Sequence, residues 1–255
     1  TYDPVGMTAR DAGLCEPERA RASLASVNRI RMVSTRLHPH PTDTDTVGLW
    51  HLDGDVDDDS TNNNDGAYLS DGVWVPGRYD QALSMTPTQS PVTVPHDTTL
   101  DLGSDAFTLE AWVMPTSGTG DIALKGEDTG GGFSGWRLSL DANQYLRFQF
   151  DSTILQGAVT VPNNVWTHVA VIRDTTAGTI TLYIDGTADT SMTYGGAMPD
   201  TTLDLLLGAG MNGVLEEVRL SSIARDPADE LLTLDLTYEY NNVNQLVTEY
   251  VTGRR

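Results

Sequence analysis

Four segments of this chain alternate apolar residues with polar or small ones, and they constrain the fold more than any other feature. They are Phe107–Val113, Trp166–Arg173, Thr179–Gly186 and Gly213–Leu220. Successive side chains of a β-strand point to opposite faces, so the alternation predicts strands with one face on a core and the other toward water. The segments therefore predict a β-sheet scaffold, and by themselves they predict no chemistry.

Residues 46–227 are interpreted as one continuous all-β domain. Short strand candidates recur there between turns rich in Gly, Pro, Asn and Asp. This pattern favours an antiparallel two-sheet sandwich or jelly roll over a parallel α/β sheet. The further strand candidates are 47–52, 72–75, 81–85, 92–94, 121–125, 136–140, 145–150, 154–160 and 203–207.

Residues 1–45 are predicted to form an N-terminal extension with one helix and a linker. The helix is placed over Pro17–Met32, because proline suits the first turn of a helix and arginines collect toward the end. The acidic residues Glu16 and Glu18 match the positive end of the helix dipole. Proline, threonine and aspartate dominate the stretch 38–46, which is typical of a linker.

Charge and hydropathy exclude several classes of partner. The formal charge of -21 at pH 7 falls on residues 46–255, because acidic residues and arginines balance in residues 1–45. A field of this sign repels nucleic acid and anionic membrane and attracts cations. No stretch reaches the roughly 20 apolar residues that a membrane-spanning helix needs. Abundant Asp and Thr with the single lysine Lys125 suit an extracellular surface, a high-salt habitat or a base-rich genome equally well.

The first residue, Thr1, leads us to expect a piece processed from a longer polypeptide.

A set of motifs in fixed order resembles one known family. The set contains Val47–Asp53, Asp58–Gly66, Pro76–Ser84, Val92–His96, Phe107–Val113, Trp166–Arg173, Leu182–Gly186 and Leu215–Leu220. Together they resemble the laminin-G-like, concanavalin A-like jelly-roll domains. The resemblance implies two antiparallel sheets, often a structural calcium ion, and a binding or adhesive role. The sequence departs from the family pattern at Asn62–Asn64, where glycine is expected, and at Glu216–Glu217, where Asp-Glu is commoner.

The acidic opening of the domain is the best candidate for a metal site. Its Asp and Asn residues are dense between positions 53 and 65, and calcium takes six to eight oxygen ligands of these types. By similarity to the family, the calcium ligands would be Asp53, Asp58, Asn62 and Glu216. The alternative interpretation is a solvated acidic loop.

Aromatic residues near turns are candidates for sugar binding. Trp74, Trp136 and Tyr145 could stack on the apolar face of a sugar ring, with Asn143 as a polar partner. Turn chemistry explains Asn143 equally well. Trp50, Trp112 and Trp166 lie within strand patterns and are predicted to be core or near-core residues.

No pattern of catalytic residues is found, and the sequence predicts a protein that is not an enzyme. Related glycosidases space their carboxylates along one strand so that they share a face. The carboxylates of Glu216 and Glu217 are adjacent and would point to opposite faces. His168 alternates with Ala170 and Ile172, which favours a packed histidine over a catalytic one.

Residues 228–255 form a predicted C-terminal β extension. Tyr238–Thr248 resembles a YD repeat of the RHS family, and Thr1–Thr8 carries a similar short element. A β-hairpin that arose by chance explains the C-terminal match equally well.

Two functions are compatible with these observations. The first is a non-catalytic extracellular or cell-surface module that binds a glycan or a protein and is stabilised by calcium. The alternative is a structural subunit of an extracellular filament or RHS-type shell, in which the jelly roll is displayed and the terminal segments mediate self-association.

Overall fold

The computed structural model describes residues 29–34, 40–68, 72–226, 233–240 and 246–254. The chain divides into two compact units. One comprises residues 37–230, and the other combines the terminal segments 1–36 and 231–255. The sequence prediction treated those two termini as separate extensions, whereas the structure groups them.

The described residues contain eighteen strands and a single turn of 3-10 helix at Thr98–Leu100. The strands are β1 (Arg29–Ser34), β2 (Thr46–Trp50), β3 (Ala67–Tyr68), β4 (Val73–Pro76), β5 (Gln81–Met85), β6 (Val92–Val94), β7 (Phe107–Pro115), β8 (Gly120–Asp128), β9 (Phe133–Leu140), β10 (Tyr145–Phe150), β11 (Thr153–Thr160), β12 (Thr167–Asp174), β13 (Thr179–Ile184), β14 (Thr187–Thr193), β15 (Leu205–Leu207), β16 (Gly213–Ser221), β17 (Thr233–Tyr240) and β18 (Leu246–Arg254).

The larger unit is a sandwich of two antiparallel sheets, which confirms the predicted jelly-roll class. The seven-stranded sheet has the order β11-β10-β9-β8-β15-β6-β3. The eight-stranded sheet has the order β14-β13-β12-β7-β16-β5-β4, and β2 also pairs with β16. Strand β16 is paired with β7 on one side, and on the other side it pairs first with β5 and then with β2.

The core lies between the two sheets and is built by the alternation seen in the sequence. Leu109 and Val171 from the eight-stranded sheet join Trp136, Leu138 and Phe148 from the seven-stranded sheet in one buried apolar cluster. Each of these side chains is at most 1% exposed. Removal of such apolar area from water is the main favourable contribution to folding.

On the central strands β7, β12 and β16 of the eight-stranded sheet, the outer face is buried as well, contrary to the prediction that it faces water. All nine residues of β16 are buried, and on β7 and β12 the polar residues Glu110 and His168 are fully buried. These polar side chains contact one another, and the backbone at Pro41 accepts a hydrogen bond from Arg219. Alternation identifies the polar face of a strand, but it does not reveal whether other parts of the chain cover that face.

The smaller unit contains a three-stranded antiparallel sheet in the order β1-β17-β18. The predicted helix over Pro17–Met32 is therefore wrong at its end, because Arg29–Ser34 is strand β1 and pairs with β17 over six positions. The last C=O groups of a helix have no partners within the helix, whereas in a strand they can bond to the neighbouring strand. Helix propensity is weak, and such tertiary pairing overrides it. Residues 17–28 lie outside the described residues.

The segment that resembled an RHS repeat contributes to the hairpin of β17 and β18. Within the described ranges, no helix has the length and apolarity needed to cross a membrane.

Candidate functional site

The outer face of the seven-stranded sheet carries a row of polar side chains on its central strands. On β9, Arg137 and Ser139 alternate with the core residues Trp136 and Leu138. On β10, Arg147 and Gln149 alternate with core residues in the same way. The register pairs Arg147 with Ser139 and Gln149 with Arg137, so these four side chains lie side by side.

A pocket of about 490 Å³ opens on this face. Its volume lies within the roughly 300–1,000 Å³ of typical small-molecule sites. The lining residues come from the β7–β8 loop, β8, β9, β10, the β9–β10 turn and the loop before β16; they are Thr119, Gly120, Asp121, Arg137, Ser139, Leu140, Asp141, Ala142, Asn143, Arg147, Ala209 and Gly210.

The β9–β10 turn forms one rim of the pocket, and Asp141 fixes its shape. The Oδ1 atom of Asp141 accepts hydrogen bonds from the backbone N–H groups of Asn143 at 2.8 Å and Tyr145 at 3.0 Å. The Oδ2 atom accepts one from the Gln156 side chain at 2.9 Å. These hydrogen bonds outweigh burial and lower the pKa of Asp141. The ionised Asp141 side chain thus holds the backbone of Asn143 in place.

Two arginines on the pocket face share a single neutral acceptor. The Oε1 atom of Gln149 accepts from Nε of Arg137 at 3.1 Å, from Nη2 of Arg137 at 2.7 Å and from Nη2 of Arg147 at 2.5 Å. Gln149 is itself held by its donation to the backbone carbonyl of Asp151. The Arg137 guanidinium also lies 4.5 Å from the ring centroid of Phe133. The two positive charges are thereby fixed close together.

The electrostatic environment of the pocket shifts two pKa values. Burial raises the pKa of Asp121 to about 6, although the charges of Arg137 and Arg147 oppose this shift. Burial and the charge of Arg137 lower the pKa of Arg147. The Nε atom of Arg147 is buried without a hydrogen-bond partner. The pocket therefore holds unmet donors beside a carboxyl group that titrates near pH 6.

The structure separates the four residues predicted to bind sugar. Asn143 lines the pocket, and Tyr145 lies next to it on β10, half-buried and outside the lining. Trp74 is half-buried on the edge strand β4 of the other sheet, packed against the core. Trp136 is 0% exposed, so its predicted role in stacking on a ligand is wrong. Its alternation with Leu138 places the ring in the core.

The sequence analysis missed Asp121, Arg137, Arg147 and Gln149. The signal available was the appearance of polar residues at alternate positions of β9 and β10. That signal does not show which residues of the two strands are neighbours, because the register depends on the intervening turn.

Three of the four predicted calcium ligands, Asp58, Asn62 and Glu216, make hydrogen bonds within the protein. Within the described residues, Asp53, Asp58 and Glu216 are not among the groups of three metal-binding residues whose ligand atoms lie within 4.8 Å of one another. Both Asp58 oxygens accept hydrogen bonds within the turn, from Leu49, Ser60 and Asn64. The side-chain amide of Asn62 donates to the Val47 carbonyl. The turn is thus organised by internal hydrogen bonds, and calcium binding stays a prediction.

The acidic turn also contains a partly buried histidine. His51 lies between Glu217, at 2.6 Å from Nδ1, and Asp59, at 3.1 Å from Nε2. The hydrogen bond to Glu217 raises the pKa of His51 to about 8. Repulsion, mainly from Asp55, raises the pKa of the exposed Asp57. A protonated His51 therefore offsets part of the negative charge at neutral pH.

Glu216 and Glu217 hold the junction at which β16 passes from pairing with β5 to pairing with β2. Glu216 accepts hydrogen bonds from the backbone N–H groups of Arg78 at 2.7 Å and Tyr79 at 2.9 Å. Glu217 has a φ of 55° and accepts from the His40 N–H at 2.7 Å. The two carboxylates bind different segments, so they have a structural role and form no acid–base pair.

A buried polar cluster lies on the outer face of the eight-stranded sheet. Ligand atoms of His40, Glu110 and His168 lie within 4.8 Å of one another, a donor set that zinc accepts. Arg219 already binds Oε1 of Glu110 through Nε at 2.8 Å and Nη2 at 2.6 Å. Burial would raise the pKa of Glu110, but the neighbouring His168, His40 and Arg219 outweigh it and lower the pKa. We interpret the cluster as a structural ion pair.

Solved structures with this fold include binding domains of larger proteins. The binding domain of Paraclostridial Mosquitocidal Protein 1 superposes with a TM-score of 0.61 at 16% identity, covering 73% of this chain and 51% of that one. Domain 4 of AbnA, a GH43 extracellular arabinanase from Geobacillus stearothermophilus solved with arabinotriose, gives 0.56 at 20% identity, covering 73% and 96%. A botulinum neurotoxin type C structure, from work on its dependence on two ganglioside molecules, gives 0.52 at 13% identity, covering 72% and 49%.

At these identities the likeness concerns the fold, and the chain spans about half the length of the first of these structures. No curated protein matches the sequence. The comparisons give no support to the RHS resemblance of the terminal segments. Residues 86–229, more than half of the chain, match the laminin-G-like family described as the concanavalin A-like lectin/glucanases superfamily. Together with the two-sheet sandwich, this match shows that the chain belongs to the concanavalin A-like lectin/glucanases superfamily.

Proposed function

We propose that this chain is a non-catalytic module that binds glycans in the pocket on the outer face of the seven-stranded sheet. The observation that carries the proposal is the pocket itself, a polar depression of about 490 Å³ built on three adjacent strands. Side chains on rigid strands keep their positions better than side chains on loops, which favours selective binding. Two structural neighbours, the arabinanase domain and the neurotoxin, are associated with saccharide ligands.

The lining suits the hydroxyl groups of a sugar. Asp121 and Asn143 supply acceptor oxygens, Ser139 supplies a hydroxyl, and the arginines supply N–H donors. A small number of such polar groups in a shaped cavity fixes the orientation of a ligand.

We propose a non-catalytic role because the carboxyl groups of the pocket are poorly arranged for glycoside hydrolysis. A glycosidase uses two carboxyl groups, one as acid and one as nucleophile or base. Asp121 has a pKa suited to an acid, but Asp141 accepts two hydrogen bonds from its own turn and a third from Gln156 on β11. A carboxylate engaged in this way is poorly placed to attack a sugar or to activate water.

The glycan-binding proposal is tested by blocking the pocket. The full 255-residue chain is applied to a glycan array, and affinity for the best ligand is measured by calorimetry. Ala142 is exposed on the rim, so Ala142→Trp is expected to lower affinity at least tenfold. Ala177→Trp, on the exposed β12–β13 hairpin, is the matched control and should bind like the wild type. Absence of binding on the array, or equal binding by both variants, would refute the proposal.

We also propose that calcium binds at the acidic turn, because a cation would relieve the repulsion among Asp55, Asp57 and their neighbours. We further propose an extracellular location, as for the extracellular arabinanase that contains one of the structural neighbours. Calcium at a hundredfold excess over its dissociation constant would add about 2.7 kcal/mol to the free energy of unfolding. Thermal unfolding with calcium and with a chelator measures this. Coincident curves would remove calcium from the proposal.

The alternative function is that of a structural subunit, and it is supported by the strand arrangement of the smaller unit. Within the described residues, β1 and β18 are the outer strands of its three-stranded sheet, and outer strands can pair with another chain. Light scattering of the full chain at increasing concentration tests this alternative. A mass that stays monomeric throughout would exclude it.

A further inference from the structure

Arg137 and Arg147 differ from two other arginines of the larger unit, Arg219 and Arg225, in what they contact. Arg219 binds Glu110, and Arg225 binds Asp43 through both terminal nitrogens. By contrast, no carboxylate oxygen of the described residues lies within 4.0 Å of the side-chain nitrogens of Arg137 or Arg147. Their three recorded hydrogen bonds all go to one neutral oxygen, Oε1 of Gln149.

This arrangement leaves binding capacity unused. Each guanidinium group carries five N–H donors, and three hydrogen bonds account for a minority of the ten. One further donor, Nε of Arg147, is buried and has no acceptor. Because both residues line the pocket, a ligand there can accept hydrogen bonds from those of the remaining donors that face it.

Repulsion between the arginines also favours an anion. Gln149 brings the two guanidinium groups to the same oxygen, although neighbouring positive charges repel each other. Asp121 and Asp141 are the carboxylates of the pocket, yet neither makes an ion pair with the arginines, and Asp141 is bound by its own turn. An oxyanion in the pocket would supply the missing negative charge.

Guanidinium groups recognise carboxylate and sulfate groups through paired N–H···O hydrogen bonds. We propose that the pocket selects anionic sugars, with the carboxylate or sulfate group of the sugar bound by Arg137 and Arg147. This inference rests on the proposed glycan-binding function and names the chemical class of its ligand.

Because the net charge of the protein is -21, selectivity for an anionic sugar must come from direct contacts with positively charged side chains. The field of the whole protein repels an anionic ligand, whereas charges in direct contact are screened little by salt. The preference for an anionic sugar would therefore depend on the two arginines, and their replacement should have a large effect on it.

The first experiment compares matched sugars on the full chain. The array carries neutral glycans beside carboxylated and sulfated forms of the same backbone, such as lactose with sialyllactose and sulfated lactose, and oligogalacturonate with its methyl ester. We expect anionic forms to bind at least tenfold more tightly than the neutral ones, and the two anionic sets identify which oxyanion is preferred. Equal or tighter binding of neutral forms would overturn the inference while leaving the proposed function intact. If no glycan binds, both fail.

The second experiment assigns the selectivity to the arginines. Arg137→Gln and Arg147→Gln should each lower affinity for the anionic sugar about 10- to 100-fold, the range expected for a lost hydrogen bond to a charged group. Arg137→Lys should retain part of the affinity, because it keeps the charge and loses the paired geometry. The control Arg225→Gln removes one positive charge outside the pocket and should bind normally. A preference for anions that survives both glutamine variants would refute the site.

A third variant separates lost binding from lost folding. Gln149→Glu is nearly isosteric and places a carboxylate where both arginines already donate. The internal carboxylate should occupy the arginines and abolish anion selectivity while the melting temperature is retained. Unchanged selectivity in this variant would contradict the inference.

Discussion

The outer faces of the two sheets use the same residue type with opposite results. On the eight-stranded sheet, Arg219 is 1% exposed and binds the fully buried Glu110. On the seven-stranded sheet, Arg137 and Arg147 are half-buried beside a pocket and donate to the neutral Gln149. Among these three arginines, the one that contacts a carboxylate is buried in the fold, and the two without a carboxylate partner line the pocket.

The largest expected effect tests this distinction through stability. Arg219→Gln leaves Glu110 buried without its main cationic partner, and loss of one partner of a buried ion pair costs about 3–5 kcal/mol. Arg137→Gln removes hydrogen bonds to a neutral oxygen and should cost about 1 kcal/mol. Urea unfolding of the two variants beside the wild type gives both values. Similar losses would mean that the two faces do not differ as described.

The next effect uses two carboxyl groups with opposite pKa shifts. Asp121 has a folded-state pKa of about 6, above the unfolded value near 3.9, so the folded state takes up its proton first as pH falls. This gain in stability develops below pH 7 and is complete somewhat below pH 4, where it amounts to about 3 kcal/mol. Glu110 has a lowered pKa, so its contribution is present above its unfolded pKa and is lost at lower pH.

Unfolding free energies of the wild type and of Asp121→Asn between pH 7 and 5 isolate the first effect. The difference between the two proteins should shrink as the pH falls, because protonation makes the wild-type side chain neutral. His51 and the other titrating groups cancel in this difference. A constant offset between the two curves would contradict the raised pKa.

The smallest expected effect concerns the ligand. Asp121 lies near Arg137, Arg147 and Asp128, and above pH 6 its negative charge opposes an anionic sugar in the pocket. Affinity for such a sugar should rise several-fold as the pH falls from 7 to 5, and Asp121→Asn should bind equally well at both values. Calorimetry at the two pH values measures this. An affinity that falls on acidification in both proteins would instead indicate that an ionised group is needed.

Much of the fold could be predicted because alternation is a local property of the sequence. Alternate apolar positions of β7 and β12, such as Leu109, Val113 and Val171, do form part of the core of a sandwich. Trp166, which was predicted to lie in or near the core, is half-buried and outside this cluster. The same pattern applied to Gly135–Leu140 would have placed Trp136 in the core, but its nearness to a turn suggested a surface role. Alternation could not show that Glu110 and His168 are covered, since covering depends on segments distant in the sequence.

The candidate site was harder to predict because it depends on register. Asn143 was predicted as a polar partner for a sugar, and the turn that contains it forms a rim of the pocket. Arg137 and Arg147 become neighbours only through the pairing of β9 with β10. The predicted helix end failed for a related reason, because the partner of Arg29–Ser34 lies about two hundred positions away, in Thr233–Tyr240.

The double pairing of β16 has a consequence for synthesis of the chain on the ribosome. The Glu217 side chain that accepts from the His40 N–H is 177 positions further along the sequence. At about 5–20 residues per second, translation of that interval takes roughly 10–35 s. During this time β2, β5 and β7 are made but lack the strand that joins them, so their edges are open to other nascent chains. The eight-stranded sheet is complete only when β16 has left the exit tunnel and paired with β2, β5 and β7. Emergence of β16 therefore ends the period in which these edges are open.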